Sequence, residues 1–194
     1  MSMELDHLVV GAATLEEGVA WCERVLGVTP GPGGKHALMG THNRLLNISG
    51  PNHPRAYLEI IAIDPEAPPP SRARWFDLDQ PALRERLAQG PGLIHWVSRV
   101  PNLDAALANW RGEGVDAGEA IEASRGNLRW RIGLREDGRR LRREALPVLI
   151  EWGEAHPTDG MADSGVQLLG FEARDGLKAR LATPRGEVEL EVIG

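Results

Sequence analysis

Two stretches of the chain repeat one another, and each carries a histidine in one extended run and a glutamate in another. Leu5-Asp6-His7-Leu8-Val9 is matched by Leu93-Ile94-His95-Trp96-Val97, and Tyr57-Leu58-Glu59-Ile60-Ile61 by Leu149-Ile150-Glu151-Trp152. A duplication of this size restricts the chain to folds in which two like units pair. One unit alone would leave a sheet face open to water.

Within each copy the order of elements is readable. Leu5, His7 and Val9 alternate with Asp6, Leu8 and Val10, as a strand contacted on both faces does. Thr14 with Glu17 three residues on is a capping-box signature, and Leu15, Val19, Cys22 and Leu26 follow at helical spacing before Gly27. In the second copy Asn102 caps, Leu103, Leu107 and Trp110 form the stripe, and Gly112 or Gly114 stops it. Short extended runs come next, at about 36–39, 42–48 and 56–63, then about 118–123, 127–134 and 146–152. Each unit reads strand–helix–strand–strand–strand, an α+β class. The predicted organisation is a first βαβββ module over 1–63, a Pro-rich connector and helix over 64–92, and a second module over 93–153. An antiparallel β-meander over 165–194 is expected as an appended edge sheet. The connector opens with Asp64-Pro65-Glu66-Ala67-Pro68-Pro69-Pro70, a stiff extended run, and its helix is expected at about 79–89 with Leu83 and Leu87 inward.

Bulk properties narrow the function classes. A chain of 194 residues buries roughly 70% of its unfolded surface without staples. A formal net charge of −6 disfavours a nucleic-acid partner. No run approaches the ~18 apolar residues of a membrane span. The single Cys22 excludes an intramolecular disulfide, and with no leader pattern in residues 1–12 a cytoplasmic setting is expected. Arg135, Arg139, Arg140, Arg142 and Arg143 crowd the Asp137-Gly138 turn, as a solvated tip or as an anion-steering rim.

A carboxylate flanked by apolar residues, as Glu59 and Glu151 both are, is costly to bury unless paired or bound to metal. A buried salt bridge explains one such residue; two, each accompanied by a repeated histidine, point to a divalent ion held by His7, Glu59, His95 and Glu151. Imidazole and carboxylate without thiolate suit Zn, Ni, Mn, Fe or Co. Such an ion would polarise a carbonyl and stabilise an enediolate. A ligating glutamate, Glu59 or Glu151, that loosens would serve as general base. The alternative is a carboxylate–histidine cluster without metal.

These motifs, with Gly40-Thr41-His42-Asn43 and the Gly153 and His156-Pro157 that follow Glu151, resemble the vicinal oxygen chelate superfamily, in particular its glyoxalase-like branch. The resemblance spans about 1–160. It implies paired βαβββ modules curled into a cup around a metal cleft, and His7, Glu59, His95 and Glu151 occupy the four ligand positions of glyoxalase I. Extradiol dioxygenases of the superfamily use two His and one Glu on Fe(II), to which Glu59 is surplus. The long connector, the Thr41-His42-Asn43 element and the meander depart from glyoxalase I, so its glutathione-adduct substrate does not carry over.

Secondary candidates surround the cup. His42 is either an acid/base at its mouth or an exposed turn residue. His36 and Asn43 are candidate substrate donors. Arg129 and Arg131 clamp a substrate anion if their strand face looks inward, and face solvent otherwise. His156 either folds back toward the cavity or closes a turn, and Trp96 and Trp152 are expected to pack beneath helices. Three functions compete for a small-molecule substrate: a metal-dependent lyase, isomerase or epimerase; an Fe(II) extradiol-type dioxygenase; and a non-catalytic small-molecule binder. A homodimer is compatible with each.

Overall fold

Each copy of the repeat folds as a strand, a helix and three strands, in a computed structural model that describes residues 4–141, 146–173 and 176–193. The first module comprises β1 (Glu4–Gly11), α1 (Leu15–Val25), β2 (Gly31–His36), β3 (Thr41–Asn47) and β4 (Tyr57–Ile63). After α2 (Pro81–Leu87) the second comprises β5 (Gly92–Arg99), α3 (Leu103–Gly112), β6 (Glu119–Arg125), β7 (Leu128–Leu134) and β8 (Val148–Trp152). A meander of β9 (Gln167–Glu172), β10 (Lys178–Thr183) and β11 (Gly186–Glu191) follows. The expected helix caps form: Thr14 Oγ1 accepts from Glu17 N–H at 3.2 Å, and Asn102 Oδ1 from Ala105 N–H at 2.9 Å.

The modules join through β1 and β5, which pair antiparallel at the centre of one eight-stranded sheet ordered β2-β3-β4-β1-β5-β8-β7-β6. The sheet curls into a half-barrel. Its outer face carries α1 and α3: Leu8, Val10, Leu58 and Ile60 pack with Trp21, Cys22 and Leu26 near α1, and Leu149 packs with Leu103 and Leu107 of α3. Gly18 of α1 lies against Ile60 so closely that a Cβ would stand 2.4 Å from its Cγ2.

Three expectations change. Residues 37–40, most of the run expected at 36–39, form a turn, and the edge strand is the glycine-rich Gly31–His36 instead. Glycine is required there, because a Cβ on Gly33 would lie 1.9 Å from the Asn43 carbonyl oxygen. The meander does not extend a sheet edge; Leu168, Ala179, Leu181 and Leu190 enter the same core as Leu5, Leu8 and Trp96. The connector does more than join modules. Trp75, Phe76 and Leu78, with Leu83 and Leu87 of α2, pack against Val9, Ile61, Ile94, Val97, Ile132 and Ile150, filling much of the concave face.

The connector is held there in a demanding conformation. Phe76 and Asp77 both have left-handed backbones, with φ of 57° and 62°, a region unfavourable for residues with a Cβ. Asp77 N–H donates to Gly138 O at 3.2 Å, and the Asp77 carboxylate accepts from Arg140 N–H at 3.0 Å and Arg140 Nε at 2.8 Å. Arg140 Nη1 also donates to Ile94 O at 2.6 Å, where β5 has not yet met β8. The Asp137-Gly138 turn therefore pins the plug. Its other described arginine side chains are also engaged, Arg135 with Asp116 and Asp137, and Arg139 with Gln80. Arg142 and Arg143 lie outside the described residues.

Candidate active site

A β-bulge between Leu5 and His7 sends Leu5 to the outer core and His7 into the cup. On β4, Tyr57, Glu59 and Ile61 alternate onto the concave face. His7 Nε2 stands 3.6 Å from Glu59 Oε2, beyond a hydrogen bond, while His7 Nδ1 donates to Asp6 Oδ1 at 2.6 Å. Asp6 Oδ2 in turn accepts from His156 Nε2 and Trp152 Nε1, each at 3.0 Å. Tyr57 stacks on the His7 ring at a centroid distance of 4.5 Å.

Opposite His7, Asn43 organises the wall. Its Nδ2 donates to Glu59 Oε1 at 2.6 Å and lies 3.3 Å from His36 Nε2. Its Oδ1 accepts from Gly34 N–H at 2.9 Å and from Arg125 Nη1 at 3.1 Å. His36 Nδ1 lies 3.0 Å from Thr41 Oγ1. Trp75, Phe76, Trp130 and Trp152 supply aromatic wall, and the cavity has an empty volume of about 410 Å³ including its open mouth.

The electrostatics follow from these contacts. Burial alone would strip the His7 proton, but the hydrogen bond to Asp6 and the nearby negative charges of Asp6 and Glu59 outweigh it and raise the imidazole to about 9. Burial opposes ionisation of Glu59 too, yet His7, His36 and Asn43 hold it below the usual carboxylate range. Burial, with Arg125 adding to it against Glu59, pushes His36 down to about 4. Near neutral pH the cup therefore presents an imidazolium facing a carboxylate, with a neutral imidazole beside it.

The second module does not mirror this arrangement. On β8, Ile150 and Trp152 take the concave face, opposite Ile132 and Trp130 of β7. Glu151 points the other way. Its Oε2 accepts from Leu103 N–H at 2.6 Å, at the start of α3, and faces Arg131 at 3.7 Å. A carboxylate is favoured there by the helix's unsatisfied N–H groups and dipole. His95 does face the concave side, paired with Val9. The Phe76 ring lies against it at 5.8 Å, and its Nε2 has no hydrogen-bond partner among the described residues.

A shared four-ligand metal centre does not fit these positions, because Glu151 is committed to α3 on the far face and the connector's Phe76 packs on His95. Among the described residues no three His, Cys, Asp or Glu side chains are grouped to hold a metal ion. The secondary candidates also divide. His36 and Asn43 reach the cavity. His42 sits one strand position from Asn43, on the opposite face of β3. Arg129 donates to the carbonyls of Gly126 and Leu128, and Arg131 pairs outside with Asp104 at 2.7 Å. The cavity's arginine is Arg125, and Asp6, Tyr57, Phe76, Trp152 and Arg125 were not singled out for the site by sequence. Trp152 lines the cavity instead of packing under a helix.

A family model for a glyoxalase-like domain matches residues 5–183. The chain belongs to that glyoxalase-like family. No protein of curated function matches the sequence significantly. Among solved structures, a hypothetical protein from Staphylococcus aureus is similar over 98% of this chain and 86% of its own, at 13% identity and a TM-score of 0.58. Another from Bacillus halodurans aligns over 84% and 100%, at 13% identity and a TM-score of 0.50. A methylmalonyl-CoA epimerase from Mycobacterium tuberculosis aligns over 81% and 92%, at 21% identity and a TM-score of 0.47. No helix among the described residues of this glyoxalase-like chain is long and apolar enough to cross a membrane.

Two expectations follow from this asymmetry. Glu151→Gln weakens the carboxylate at the start of α3, so a loss of ~0.5–2 kcal/mol is expected in urea unfolding. Ligand binding in the cup should be unchanged, and a cup defect in this variant would contradict the outward placement. His95 supplies a pH signature. Burial, with the charges of Arg140 and His7 adding to it, pushes its imidazole from 6.5 down to about 3. The fold keeps His95 neutral where the unfolded chain takes a proton. Its contribution is present above pH 6.5 and lost as pH falls toward 3, at ~1.4 kcal/mol per unit. Between pH 6.5 and 4.5 the His95→Leu variant should lose ~2–3 kcal/mol less than the parent; equal losses would refute the assignment.

Proposed function

We propose that the protein catalyses proton transfer beside a carbonyl group, as a lyase, isomerase or epimerase that stabilises an enolate or enediolate of a small substrate in the cup. The observation that carries this reading is the buried His7–Glu59 pair, facing across 3.6 Å without a hydrogen bond. A carbonyl oxygen seated on the cavity side of the pair would accept a hydrogen bond from His7 Nε2. Glu59 Oε2 would then take the proton from the adjoining carbon. Charge developing on the oxygen meets an imidazolium that Asp6 orients and holds in its charged form. Glu59 is ionised and ready near neutrality; its depressed basicity is offset by the electrophile, which acidifies the carbon. Asn43 fixes the carboxylate from the other side, and the aromatic walls exclude water.

No step in this scheme passes through a metal, since the four residues expected as ligands do not share a centre. The experiment is proton NMR in deuterium oxide with a panel of small aldehydes, ketones and oxo acids, before and after treatment with a chelator. Loss of α-proton signals above the buffer rate, surviving chelation, is the expected result. Binding without exchange across the panel would make the protein a non-catalytic carrier. Exchange that disappears on chelation and returns with one metal would reinstate a metal-dependent mechanism.

A further inference from the structure

The end of β6 reaches across the open side of the half-barrel to the opposite edge strand. Arg125, last residue of β6, lies against β2, where a Cβ on Gly34 would stand 2.5 Å from Arg125 Cδ. Side-chain-free backbone on β2 thus makes room for the arginine, whose side chain spans from one edge of the sheet to the other at the cavity. The guanidinium arrives half-buried among polar groups that already face inward. Its Nη1 donates to Asn43 Oδ1 at 3.1 Å and lies 3.5 Å from His36 Nε2. Among the described residues its Nε and Nη2 carry no hydrogen bond and it makes no ion pair. Several arginines outside the cup are instead held by ion pairs. Arg74, Arg99, Arg131, Arg135 and Arg140 each pair with a carboxylate.

We infer that Arg125 reads a carboxylate on the substrate, so that the cup takes a small oxo acid and not a neutral carbonyl compound. The inference rests on the proton-transfer reading for the rest of the substrate, but its geometry is independent of it. A guanidinium offers a planar fork matched to a carboxylate's two oxygens. Here two donors are left for that fork, at a narrow, aromatic-walled cavity. The Asn43 amide separates Arg125 from Glu59, bonding one through its oxygen and the other through its nitrogen. A substrate anion docked on Arg125 is thereby set apart from the Glu59 carboxylate, while the carbonyl reaches the cavity side of the His7–Glu59 pair.

Benzoylformate tests this directly, because it has a carboxylate beside a carbonyl but no enolisable hydrogen, so binding is read without reaction. Its methyl ester is the neutral control. Isothermal titration of the full chain should give the acid about 10-fold tighter binding than the ester, the worth of a charge-assisted fork. Arg125→Gln should remove that margin while leaving the ester's affinity within about 2-fold, and Arg125→Lys should restore part of it. Equal affinities for acid and ester in the parent protein, or no binding of either, would overturn the inference. So would an ester affinity that falls along with the acid's in Arg125→Gln, since that is what a purely structural latch between β2 and β6 produces. Failure of proton exchange would leave these binding results standing and remove only the catalytic reading.

Discussion

Glu59→Gln is expected to slow proton exchange by about 10²–10⁴-fold, the range for removing a positioned general base. The amide keeps the shape of the side chain and an oxygen to accept from Asn43 Nδ2, so the wall around it should hold. What it removes is the one carboxylate among the described residues that faces His7 Nε2 across the cup. Two consequences separate this from a general loss of structure. Benzoylformate affinity should change little, because the anion docks on Arg125. The His7 imidazole, losing one of its two flanking carboxylates, should titrate lower than its parent value of about 9, visible as a shifted ring-proton resonance. Full exchange activity in Glu59→Gln would remove the residue from the mechanism.

Phe76→Ala is expected to be the most destabilising single change in the connector, at ~3–5 kcal/mol. The ring packs on both Trp75 and His95 and belongs to the inner core. Alanine leaves the hole and keeps the left-handed backbone, so nothing is recovered from strain. For a chain of this size that loss corresponds to a melting point lower by roughly 10 °C. Phe76→Gly should be less costly than Phe76→Ala despite its greater truncation, since glycine accepts a φ of 57° without a steric penalty. A loss below about 1 kcal/mol for Phe76→Ala would mean that the connector rests on the cup instead of forming its core.

The duplicated architecture was legible because it is written in local pattern. The caps at Thr14 and Asn102, the stripes after them and the alternation at Tyr57, Glu59 and Ile61 need no knowledge of distant partners. The meander's three strands were legible for the same reason, but its packing on the outer face was not. The site was legible by halves. His7, Glu59, His36 and Asn43 lie where a first-module wall would put them. Glu151 misled because a repeated position specifies an element, not a face, and a one-residue change of phase reverses every side chain. With Trp130 and Ile132 inside, Ile150 and Trp152 follow them, and Glu151 must go to the helix side. Arg125 and Phe76 left no local signal. Arg125 matters only because its side chain reaches from β6 to β2, and Phe76 only because the connector turns into the cavity instead of passing around it.

That inward turn also bears on how copies of the chain meet. Proteins assembled from two like modules on a flexible joint are prone to trading a module with a neighbour, since the same interface forms either way. Here the joint itself is threaded into the bowl and clasped by Asp77 and Arg140. Exchange would require withdrawing Trp75 and Phe76 into water before any new contact formed. The plug would thus slow such an exchange and favour each chain pairing its own two halves.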